Sequence, residues 1–149
     1  MKNFVQNGDR ITLAVSSVTG PNTTSGTPKV SSGDPIFCKN LVGVAVADAN
    51  STAEADPNNA AMYLDTNVVI QLKGVFQLSV HAYQGNLGVG DTVYISSGVG
   101  RDGETTGELS DDYTQVPFGT AIDAAAQGAT TSIRVRLFGA VPGTVAAYS

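Results

Sequence analysis

The sequence of 149 residues has no Trp, one Cys (Cys38), one His (His81) and only 14% charged side chains. A lone Cys closes no intrachain disulfide. One Cys and one His fall short of the several N or S ligands of a closed zinc site, so neither a metal nor any other cofactor is expected. The absence of Trp removes the largest aromatic stacking surface. Basic residues are outnumbered 8 to 13, giving a formal net charge of −5, and they are scattered. Neutralising phosphates requires clustered Lys and Arg, so nucleic acid is not an expected partner. No run approaches the roughly 18 consecutive apolar residues of a membrane span, so no membrane partner is expected either. The opening MKNFVQNGDRITLAV is interrupted by Asn7, Asp9 and Arg10 and does not read as a signal peptide, which points to synthesis in the cytoplasm.

What is abundant is glycine, 17 residues, against 42% hydrophobic content, a composition that favours many turns over a helical bundle. Short runs with period two predict strands with one buried face. Ile11, Leu13 and Val15 form one such set, Val68, Ile70 and Leu72 another, and Phe76, Leu78 and Val80 a third. Gly74, after Lys73, predicts a tight hairpin between the last two. Asp91 to Ile95 reads as a short strand. The clearest alternation comes late, with Ile133, Val135 and Leu137 inward and Ser132, Arg134 and Arg136 outward, which places both guanidinium groups on one face.

Two runs resemble each other, Leu41-Val42-Gly43-Val44-Ala45-Val46 and Pro117-Phe118-Gly119-Thr120-Ala121-Ile122, and read as equivalent strands of one barrel or sandwich. A glycine inside a strand marks a bulge or a close backbone approach. Residues 17–33 and 48–64 read as long loops, the second with at most one helical turn around Ala60 to Leu64. The expected architecture is all-β: a small antiparallel β-barrel or β-sandwich over residues 1–138 with long loops, little or no helix, and a C-terminal extension at 139–149.

Candidate chemistry is thin. Gly98-Val99-Gly100-Arg101-Asp102-Gly103 has the G-x-G-x-x-G spacing, but the following Glu104-Thr105-Thr106-Gly107-Glu108 does not start the helix that a pyrophosphate site needs. The acidic group Asp102, Glu104, Glu108, Asp111 and Asp112 lacks the calcium-loop register and reads as a solvated hairpin. Cys38 lies in an apolar run, as an inert thiol does. His81 shares the outward parity of Gln77 and Ser79, without an orienting carboxylate. No catalytic residue is singled out. Arg134 and Arg136 could form forked contacts with an acidic protein surface.

Several ordered landmarks resemble the DUF2190 family of tailed bacteriophages. They are Met1-Lys2-Asn3-Phe4-Val5-Gln6-Asn7-Gly8-Asp9, Ser32-Gly33-Asp34-Pro35-Ile36 leading to Leu41-Val42-Gly43-Val44-Ala45, Gly74-Val75-Phe76-Gln77-Leu78, Gly90-Asp91-Thr92-Val93-Tyr94, Gly119-Thr120-Ala121-Ile122, and Gly128 to Leu137. The resemblance implies a β-rich, non-enzymatic decoration or cement protein on the outer surface of the virion head. It would bind the major capsid protein and stabilise the expanded shell. A homotrimer is the first choice of assembly and a dimer the second. Contact with shell or subunit is expected at Asn3, Phe4, Val5, Gln6, Arg134 and Arg136, with the two long loops as further candidates. The alternatives are a virion-displayed carbohydrate-binding or host-adhesion module, in which Tyr63, Tyr83, Tyr94 and Tyr113 supply the stacking, and a carboxylate-dyad hydrolase.

Overall fold

The computed structural model describes residues 9–24, 26–52, 55–56, 59–63, 65–98 and 100–139. Within them the strands are β1 (Arg10–Ala14), β2 (Lys29–Val30), β3 (Pro35–Cys38), β4 (Leu41–Ala45), β5 (Ala49–Asn50), β6 (Ala55–Asp56) and β7 (Asn59–Tyr63). They continue with β8 (Asn67–Gln71), β9 (Val75–His81), β10 (Thr92–Ile95), β11 (Leu109–Ser110), β12 (Val116–Ala121) and β13 (Thr130–Leu137). A 3-10 turn at Val15–Ser17 is the one helical element among the described residues. The all-β expectation holds.

The second half of the chain closes a five-stranded barrel in the order β10-β11-β9-β13-β12. Its longest ladder is antiparallel, from Thr130 opposite His81 to Arg136 opposite Val75. Alternation along β9 and β13 sends Leu78, Val80, Ile133, Val135 and Leu137 inward, where they meet Val93, Ile95, Leu109 and Phe118. Burying each such side chain contributes about 1.5–3 kcal/mol. One contact departs from the antiparallel expectation, because β11 joins β9 in parallel. Where β10 meets β12, Val93 faces Gly119 and Tyr94 faces Pro117, so Phe118 is the extra residue of a bulge. The bulge accommodates a proline, which cannot donate to the ladder, inside the strand. It also lets fully buried Phe118 fill the barrel.

The first half forms a four-stranded sheet, β1-β8-β4-β3, over a second core of Val15, Val18, Val30, Ile36, Ala45, Ala49, Val68, Ile70 and Leu72. Strand β4 joins the two cores. Its Val42 and Val44 belong to the barrel core, whereas Ala45, on the opposite face, belongs to the second. Gly43 is required there because a Cβ would come within 2.5 Å of the Gln71 carbonyl oxygen and also strike Ile70.

Several expectations are corrected. No hairpin forms at Lys73-Gly74: β8 pairs with β1 and β4, β9 with β13 and β11, and the intervening residues carry the chain from sheet to barrel. Leu72 is pulled into the second core, and its amide donates to the Asp9 carbonyl at 2.8 Å. The tight hairpin is instead β3-β4, where Cys38 pairs with Leu41 and Lys39 takes a φ of 53°. The two similar runs are not equivalent strands of one barrel, since β4 lies in the sheet and β12 in the barrel. They share a mechanical role: a Cβ on Gly119 would come within 2.5 Å of the Arg136 carbonyl oxygen.

The helical turn around Ala60 to Leu64 is replaced by β7, paired with β6. Nor is the 17–33 segment free: Thr19 and Phe37 exchange backbone hydrogen bonds of 2.8 and 2.9 Å, and β2 pairs with β5 of the 48–64 segment. Isolated backbone polar groups bury poorly, so these pairings are what allow Val30, Ala49 and Asn50 to lie inside.

Gly43→Ala should destabilise the fold by about 1–3 kcal/mol through overpacking. Gly85→Ala, whose Cβ meets nothing within 4 Å, should change it little. Parallel denaturant titrations test this; equal midpoints for the two variants contradict the role given to β4.

Candidate functional site

The outward parity of β9 and β13 produces one continuous face, with Val75, Gln77 and Ser79 beside Ser132, Arg134 and Arg136. Both arginines are exposed there, as the alternation predicts, but they differ in availability. Arg134 is held by Asp123: Nη2 donates to Oδ1 at 2.7 Å, Nε to Oδ2 at 3.0 Å, and its backbone amide to Oδ2 at 2.9 Å. These donations hold the Asp123 carboxyl down at about 2. The Arg134 fork is therefore spent within the chain. The Arg136 side chain has no hydrogen bond or ion pair among the described residues. It lies between Val75 on β9 and Thr120 on β12, next to a shallow hollow of about 270 Å³ lined by Thr120, Arg136, Leu137 and Phe138.

Val75, Thr120 and Phe138 escaped the sequence reading as parts of this face. A signal existed for Phe138, which continues the even parity of Arg134 and Arg136. The register that sets Val75 and Thr120 against Arg136 had no local signal. Asn3, Phe4, Val5 and Gln6 lie outside the described residues, as does the extension from residue 140.

The acidic loop after β10 is not a solvated hairpin. Glu104 is 3% exposed and Asp112 fully buried. Asp112 Oδ1 accepts from the Thr114 hydroxyl at 2.7 Å and amide at 2.9 Å, and Oδ2 from the Arg101 amide at 3.3 Å. Glu104 Oε2 accepts from the Asp102 amide at 3.1 Å, and Oε1 from the Ser110 hydroxyl at 3.4 Å. Burial raises Glu104 above the ordinary glutamate range. Burial acts in the same direction on Asp112, but the donations from Thr114, Glu104 and Arg101 outweigh it and leave Asp112 lowered. Carboxylate oxygens of Asp102, Glu104 and Asp112 lie within 4.8 Å of one another, yet each is engaged by donors of the chain.

Asp111 is a staple: its carboxylate accepts the amides of Tyr83, Gln84 and Gly85 at 2.8, 2.9 and 3.1 Å. Tyr83 donates its hydroxyl to Glu108 at 2.7 Å, which pushes the phenol up to about 12. The acidic residues thus fix the loop and tie it to the segment after β9.

A groove of about 430 Å³ lies between this loop and the outer face of β9, lined in part by Pro21, Ser79, His81, Thr105, Glu108 and Thr130. His81 Nδ1 is 2.7 Å from the Thr130 hydroxyl, and its ring lies 4.0 Å from that of Tyr83. Cys38 is half-buried and free. Gly98 and Gly103 of the glycine run take φ of 97° and 83°, and the next regular element is β11, not a helix. Tyr113 accepts a hydrogen bond from Arg101 at 2.8 Å while that guanidinium covers its ring at 4.8 Å. Tyr83 and Tyr113 are therefore already engaged within the chain.

The depressed Asp123 carboxyl gives a pH signature. Its pairing with Arg134 adds stability above the ordinary value of 3.8, and that contribution is lost as pH falls toward about 2. Asp123→Asn should be less stable than the parent at pH 6, with the gap closing between pH 4 and about 2. Thermal melts at matched ionic strength read it, and a gap that does not change with pH contradicts the assignment.

A family model described as phage cement protein matches residues 5–137. No curated protein and no solved structure matches the chain. The matched stretch spans the four-stranded sheet, the barrel and the acidic loop alike, so it is this assembly of two cores that carries the family pattern. The chain belongs to the phage cement protein family, which the DUF2190 label also names, and its role is structural decoration of the phage capsid.

Proposed function

We propose that this protein binds the outer surface of the expanded head through the major capsid protein, as a homotrimer, and stabilises the shell without catalysing a reaction. The observation that carries the reading is the family match over residues 5–137. The structure is consistent with it: the polar groups of the acidic loop are engaged in holding the loop, and the long segments at 17–33 and 48–64 are joined to each other by the β2-β5 pairing, with Val30 and Ala49 in the second core. A scaffold of this kind presents loops and termini to neighbours without reorganising on binding. Icosahedral shells offer local symmetry axes that closed cyclic oligomers match. A trimer touching several shell subunits gains avidity from modest individual contacts. The segment Asn3 to Gln6 and the two pinned loops are the proposed reach of each subunit.

Co-sedimentation with decoration-free heads tests this, with expanded shells compared against unexpanded procapsids. Saturable binding to expanded shells, together with a trimer mass in analytical ultracentrifugation, is the expected outcome. Absence of binding to both particles refutes the shell reading, and a monomer mass refutes the trimer.

A further inference from the structure

The two outward arginines of β13 are two residues apart on one strand, yet only one is used by the chain. Of the four arginines, Arg10 donates to Gln71, Arg101 to Tyr113, and Arg134 to Asp123. Arg136 alone lacks a side-chain partner among the described residues. Its cross-strand neighbours, Val75 and Thr120, bring no carboxylate to it. Val75 is 53% exposed and Phe138 42% exposed. The result is a free guanidinium set among exposed apolar side chains, beside the hollow under Thr120 and Phe138. Interfaces concentrate their binding energy in such mixtures of Arg and aromatic residues, ringed by contacts that exclude water.

We infer that Arg136, with Val75 and Phe138, forms a docking point for an acidic segment of the shell protein, the guanidinium taking a carboxylate while apolar side chains of the same segment cover Val75 and Phe138. The inference rests on the shell-binding reading and names the partner chemistry of one contact. Charge complementarity selects the occupant. The chain carries a net charge of −5, and an acidic segment is attracted to it where a cation such as the Arg136 guanidinium stands uncompensated. Arg presents a planar fork that matches a carboxylate bidentately. Apolar surroundings strengthen that pairing once water is displaced. Arg134, already closed on Asp123, is the built-in control: same strand, same face, same side chain, but no vacant fork.

The experiment measures binding isotherms on decoration-free expanded heads for the parent protein, Arg136→Glu, Phe138→Ser and Arg134→Gln. Circular dichroism and sedimentation mass are recorded for each variant. Arg136→Glu is expected to weaken binding by at least about tenfold, in the range of an interface hot spot. Phe138→Ser should weaken it to a smaller extent, and Arg134→Gln should stay within about twofold of the parent, as a spent side chain does. All four proteins should keep the same fold and mass. Equal binding by Arg136→Glu and the parent overturns the inference while leaving the shell reading intact. A changed mass in Arg136→Glu also overturns it, because the patch then belongs to self-association. If the parent itself fails to bind, the shell reading falls and this contact falls with it.

Discussion

Strand β4 has no solvent face. Val42 and Val44 enter the barrel core, Ala45 enters the second core, and Gly43 between them lets the chain pass against Ile70 and the Gln71 backbone. Close packing of this kind tolerates neither an added methyl nor a shift of register, because a one-residue slip exchanges the faces. The four-stranded sheet is thereby locked to the barrel. The outward segments inherit that lock: β3 pairs with β4, and Thr19 pairs with β3 through Phe37. Close packing of the Gly107 backbone against Gly20 and Pro21 then ties the acidic loop to the same frame.

Electrostatics completes what the two small cores begin. Carboxylates that looked like a solvated cluster instead satisfy turn amides: Asp111 takes three consecutive ones, and Asp112 takes those of Thr114 and Arg101. A glycine-rich chain has many turn amides in need of acceptors, and Asp and Glu meet that need without adding bulk. The acidic residues of this loop therefore serve the scaffold, which fits a protein that works by holding a shell together.

Strand identity was legible wherever period two was clean. Ile133, Val135 and Leu137 went in and Arg134 and Arg136 out, because a half-buried strand writes its register into every second residue. Pairing was less legible. Gly74 looked like a hairpin because a glycine after an apolar run is the same signal whether the chain folds back or crosses to another sheet, and only the burial of Leu72 decides. The strands β5, β6 and β7 were missed because two-residue pairings and polar sequences such as DANSTAEADPNNA carry no periodicity. On the site, sequence alone placed Arg134 and Arg136 together but could not see Asp123, eleven residues away, closing on one of them. That distinction depends on the tertiary path between β12 and β13.

Reinforcement of the capsid is measured most directly by the temperature at which packaged DNA escapes from heads, followed by a fluorescent DNA dye, with decoration-free heads compared before and after saturation with this protein. A structural cement role predicts release at a higher temperature once the protein is bound. Release at the same temperature, with saturation confirmed on the same particles, would contradict it.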